Sequence, residues 1–82
     1  MYYVYILQSE LDKSLYKGLT DNLERRIGQH NKGLCRSTKY KLPVNLVYVE
    51  DFENRIDARI REKYFKSGIG REELHEMLEL IK

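Results

Sequence analysis

Apolar residues recur with a strand-like and then a helix-like period along the chain, and each change of period marks an element. Tyr2 to Leu7 is an unbroken apolar and aromatic run rich in strand formers, Glu10 to Ser14 is polar and turn-like, and Leu15 to Leu19 resumes strand character. Two short strands so close in sequence join as an antiparallel hairpin. Asp21 is a good N-cap and Glu24, three residues on, suits a capping box, so a helix is expected over about Asn22–Asn31, stopped by Asn31-Lys32-Gly33. Val44–Phe52 reads as a third strand, with Leu46-Val47-Tyr48-Val49 apolar on both faces. A second helix is expected over Asn54–Ser67 with two stripes, Ile56/Ile60/Tyr64 and Ala58/Phe65/Ile69. A third, over Arg71–Ile81, carries Leu74, Met77, Leu78 and Ile81 at i, i+3, i+4 and i+7. The expected fold class is therefore α+β. A three-stranded antiparallel sheet (Tyr2–Gln8, Leu15–Leu19, Val44–Phe52) is flanked by three helices in one domain over residues 1–82.

Charge changes this picture by its distribution and not by its sum. The formal net charge is only +2. From Arg25 to Lys41, however, there are six bases and no acid, whereas from Glu50 onward nine acids face seven bases. The middle of the chain is where a polyanion docks, with Arg25, Lys32, Arg36, Thr38, Lys39 and Lys41 as candidate phosphate contacts. The single cysteine, Cys35, excludes an intrachain disulfide, and two histidines are too few for a structural zinc site of the usual kind. With no signal peptide and no long apolar run, the chain is expected to be cytoplasmic and to have no membrane partner.

Chemistry gathers at the hairpin and the two helices after it. Each strand of the hairpin brings a tyrosine, Tyr5 and Tyr16. Arg26 and His30 fall within about 60° of Leu23 around the first helix, on the flank that turns toward the sheet. Glu62 lies inside the Ala58/Phe65 stripe, where a carboxylate is costly unless paired, metal-bound or at the edge of a cleft. A structural ion pair with Arg26 is the plain alternative.

These residues together resemble the GIY-YIG nuclease domain. Tyr3-Val4-Tyr5 stands at the first signature and Tyr16-Lys17-Gly18 at the second; Arg26 follows Tyr16 by ten residues and His30 four later; Glu62 matches the family's metal-binding glutamate. The stretches around Arg26–Gly33 and Arg61–Glu72 are similar to the small single-domain branch, which is like the N-terminal nuclease domain of the excinuclease. Tyr3 and Val4 replace the Gly and Ile of the name, Lys17 replaces Ile, and Thr20 stands where the excinuclease-type domain carries a lysine. The resemblance implies a DNA endonuclease of low sequence specificity, acting in repair or processing, with one Mg²⁺ or Mn²⁺ on Glu62. It implies Arg26 on the scissile phosphate, and Tyr5, Tyr16 or His30 handling the proton. The alternative is a nucleic-acid-binding module with little or no cleavage. A partner protein or second copy is a further possibility, docked on the Leu74/Met77/Leu78/Ile81 stripe.

Overall fold

In the computed structural model, which describes residues 1–80, the chain runs β1 (Tyr2–Ser9), β2 (Leu15–Thr20), α1 (Leu23–Asn31), β3 (Val44–Phe52), α2 (Arg55–Lys66) and α3 (Gly68–Leu80). The three strands form one antiparallel sheet in the order β2-β1-β3, so β1 is paired on both sides. That position explains why Val4, Tyr5, Ile6 and Leu7 are all buried although neighbouring strand residues point to opposite faces. Val4 and Ile6 pack against Ala58, Phe65, Leu74 and Leu78 of α2 and α3. Tyr5 and Leu7 pack on the other face with Tyr16, Leu23, Ile27, Leu42 and Val44. A bulge between Ile6 and Leu7 moves the β3 register from Tyr48 to Leu46.

Two helix starts differ from the sequence expectation for identifiable reasons, while α1 ends at Asn31 as expected. Asn22, not Asp21, caps α1: its side chain accepts from the Arg25 N–H at 3.1 Å, and Thr20 Oγ1 accepts from the Asn22 N–H at 3.1 Å. Asp21 instead faces solvent and pairs with Arg25 at 3.4 Å. The third helix begins at Gly68 and not Arg71, because Ser67, the C-cap of α2, also accepts the Gly70 N–H on its Oγ at 3.1 Å. At the end of α1, Gly33 takes the chain out of the helix at φ +76°, a left-handed conformation that suits glycine.

The core is narrower than the apolar pattern implied. Ile56 is 74% and Ile60 64% exposed, because they lie about 160° around α2 from Ala58. Ile69, in the first turn of α3, is also exposed, so it does not extend the Ala58/Phe65 stripe. Leu46 and Val49 lie on edge strand β3, on the face that α1 leaves partly open, and both are exposed. In the α3 stripe Leu74 and Leu78 are buried in the core and Met77 packs against it, while Ile81 lies outside the described residues. Arg61 ties the α2/α3 layer to the sheet through a forked pair with Glu50 of β3, at 3.0 and 3.1 Å.

Candidate active site

Tyr5 and Gly18 are direct partners across the hairpin and therefore share a face. A Cβ on Gly18 would stand 2.3 Å from both Cζ and the oxygen of Tyr5, so the phenol lies across bare backbone and only glycine admits it there. Lys17 pairs with Ile6 and faces the α2/α3 layer; burial and the nearby Arg71 and Lys66 hold its amine below the usual range. The site on the Tyr5 face does not depend on that side chain. Tyr16, by alternation, returns to the Tyr5 face, with ring centroids 6.3 Å apart.

Helix α1 lays Arg26 and His30 over this pair, as their i, i+4 spacing requires. The Arg26 Nε–H donates to the Tyr5 oxygen at 3.3 Å, and Nη1 donates to Gln29 Oε1 at 3.1 Å. Nη2 has no partner among the described residues. His30 Nε2 lies 3.1 Å from the Tyr5 oxygen, and its ring meets Tyr16 edge-on at 4.9 Å. His30 itself is fully buried.

Arg26 does pull the Tyr5 phenol downward, but burial outweighs it and pushes the pKa up to about 12. Tyr5 is thus a protonated hydrogen-bond donor and not a ready phenolate base. Burial and then the Arg26 charge lower the pKa of His30, which keeps the imidazole neutral at pH 7.

Glu62 is not part of this contact set. It lies on α2, between Ala58 and Phe65, in the layer on the other face of the sheet. Its Oε1 is 3.4 Å from Arg59 and its Oε2 3.7 Å from Lys66, so the ion pair with Arg26 does not form. Lys66 also acts on Lys17 of β2, which puts this end of α2 at the β2 edge, on the reverse side of the strand from Tyr16. The carboxylate is buried while both its cationic partners are about half exposed. Among the described residues no three His, Cys, Asp or Glu side chains gather as a metal cluster. Glu62 offers one hard carboxylate, the donor type that Mg²⁺ takes singly with waters in its other positions, but here both of its oxygens are paired with cations.

The basic segment separates into two kinds of residue. Lys32, Arg36 and Lys39 are exposed; Arg25 is exposed but paired with Asp21, and Lys41 pairs with Asp12 at 3.6 Å. Thr38 is not a surface phosphate contact. The loop curls into a turn in which the Thr38 and Lys39 N–H groups both bond to Cys35 O, and this carries Thr38 inward to 2% exposure. There its Oγ1 lies 2.8 Å from His30 Nδ1. Thr20, at the lysine position, is used locally: its hydroxyl donates to Asn22 O at 3.3 Å where β2 turns into α1.

A family model described as the GIY-YIG catalytic domain matches residues 1–73. A UPF0213 protein of Clostridium perfringens is 52% identical over 67 residues, covering 80% of this chain and 71% of that protein. The UPF0213 protein YsiG of Lactococcus lactis is 44% identical over 82 residues, covering 99% of this chain and 75% of that one. Among solved structures, the solution NMR structure of a UPF0213 protein from Bacillus halodurans matches with a TM-score of 0.58 at 33% identity, over 94% of this chain and 85% of that one.

Proposed function

Because this chain belongs to the GIY-YIG catalytic-domain family, we propose that it is a divalent-metal-dependent endonuclease that hydrolyses DNA phosphodiester bonds with little sequence preference. The observation that carries the reading is the convergence of Tyr5, Tyr16, Arg26 and His30 over Gly18. Phosphoryl transfer needs cations aimed at the phosphate oxygens and a path for one proton. Arg26 is held in place by Tyr5 and Gln29, which leaves its outer nitrogen to donate to a phosphate oxygen. Tyr16, half-buried beside His30, offers a hydroxyl to the same phosphate or to the attacking water. Neutral His30 behind Tyr5 accepts a proton. Glu62 would hold the one Mg²⁺ or Mn²⁺, which when bound supplies charge stabilisation at phosphorus. The exposed Lys32, Arg36 and Lys39 would hold the flanking phosphates of a bound DNA strand. In this reading the whole of residues 1–82 acts as one nuclease unit on DNA inside the cell, in repair or processing. Among the described residues no helix is long and apolar enough to cross a membrane.

A second reading, a nucleic-acid-binding module with weak or no cleavage, is favoured by one observation: among the described residues no hydrogen bond or ion pair joins Glu62 to the phenol cluster. A plasmid-nicking assay with Mg²⁺ and with chelator separates the two. Metal-dependent conversion of supercoiled to open-circular DNA is expected. Retained binding without nicking would favour the second reading.

A further inference from the structure

We propose that Thr38 is a positioning residue that holds His30 as the Nδ1–H tautomer and so leaves Nε2 free to take the Tyr5 proton. The inference rests on the nuclease reading for its catalytic consequence, but not for the tautomer itself.

His30 sits between two hydroxyl groups, with Nε2 3.1 Å from the Tyr5 oxygen and Nδ1 2.8 Å from Thr38 Oγ1. A neutral imidazole carries one N–H, so one contact is donated and the other accepted. The Tyr5 oxygen already accepts from Arg26 Nε. The phenolic hydrogen is confined near its ring plane, and of the two groups bonded to the Tyr5 oxygen among the described residues His30 Nε2 is the one able to accept it, since Arg26 can only donate. The threonine hydroxyl hydrogen rotates about its C–O bond to suit either role, a freedom that the phenolic hydrogen lacks. The arrangement with every fixed donor used is therefore a one-way chain: Arg26 donates to Tyr5, Tyr5 to His30 Nε2, and His30 Nδ1–H to Thr38. With the reverse tautomer, two N–H groups would converge on the phenol oxygen and His30 would have no vacant nitrogen on the Tyr5 side.

The proton account closes. As a water oxygen bonds to phosphorus, its proton passes to the Tyr5 oxygen while the Tyr5 proton moves to His30 Nε2, giving an imidazolium donating to Thr38. The bond from phosphorus to the leaving oxygen breaks, that oxygen takes a proton from solvent, and the buried imidazolium gives its Nε2 proton back through the Tyr5 oxygen to water at the site before the next turnover.

Long-range ¹H–¹⁵N NMR of the metal-free wild-type protein at pH 7 reads the tautomer directly. A protonated Nδ1 and bare Nε2 on His30 are expected. Thr38→Val should shift His30 toward the Nε2–H form and slow Mg²⁺-dependent nicking about tenfold or more, with DNA binding in chelator unchanged. Thr38→Ser should restore both tautomer and rate. An Nε2–H tautomer in the wild type overturns the proposal without need of any variant. So does a Thr38→Val protein whose His30 tautomer or nicking rate is unaltered. A wild type that binds but never nicks DNA overturns the nuclease reading and the proton route with it, while the spectrum still decides what Thr38 does to His30.

Discussion

Tyr5 rests its phenol on the backbone of Gly18, with no room for even a methyl group between them. Gly18→Ala should therefore push the ring off Arg26 and His30. Overpacking of this kind costs about 1–3 kcal/mol, read as a lower Tm, and nicking should fall further than stability does. A Gly18→Ala protein as stable and as active as wild type would show that the ring is not held there.

Burial of His30 as the neutral form gives stability a defined acid limb. Its folded pKa lies below the ordinary value of 6.5, so its unfolded form binds a proton first as pH falls. The contribution is fully present above about pH 6.5 and is lost as pH falls through the depressed folded value. Tm should decline between pH 7 and 5, and an NMR titration should show the His30 ring still neutral below pH 6.5. Asp12 and Glu50, whose carboxyls are also held low, add their losses only at more acid pH. A flat Tm across pH 7 to 5 would contradict the buried neutral imidazole.

Glu62→Gln tests the metal assignment against a structural one. Its partners, Arg59 and Lys66, are about half exposed, and neither is left buried without a counter-charge. Both cations left behind are screened by solvent, so the melting temperature in metal-free buffer should change little. Mg²⁺-dependent nicking should vanish, because a neutral amide is a poor ligand for Mg²⁺, and DNA binding in chelator should remain. Cleavage that survives the substitution would remove Glu62 from the chemistry.

Lys32, Arg36 and Lys39 are expected to set affinity and leave the chemistry alone. Each phosphate interaction removed should flatten the slope of log affinity against log salt by about 0.7–0.9. Fluorescence anisotropy across a salt series on the triple Ala variant measures this. Lys41, already paired with Asp12, should matter less. An unchanged slope would place the polyanion surface elsewhere on the molecule.

All six elements are legible because burial leaves a period in the sequence, and what is not legible lacks one. Asp21 and Asn22 are both good caps, and the choice is made by the Thr20 hydroxyl, a contact outside the helix pattern. An α2 with apolar residues on two sides does not announce which side meets the sheet, so Ile56 and Ile60 cannot be told from Ala58 and Phe65 by pattern. Tyr5, Arg26 and His30 are readable because each sits on a regular element at a fixed spacing. Thr38 reads wrongly as a phosphate contact because its partner lies across an irregular loop, where composition shows only a small hydroxyl among bases. The rise of the Tyr5 pKa is equally hidden, since it depends on how deeply the ring is covered.

The Thr38 contact also makes the segment between positions 30 and 38 a tether of fixed length. One end is the face of α1 that carries Arg26 and His30, and the other is the loop whose flanking side chains, Arg36 and Lys39, are exposed. Adding or removing a residue there would leave the number of basic charges intact yet withdraw the hydroxyl from the imidazole. Under the nuclease reading, loop length is thus a variable of turnover as much as of grip, and an insertion that looks harmless on a surface loop would act at the buried imidazole.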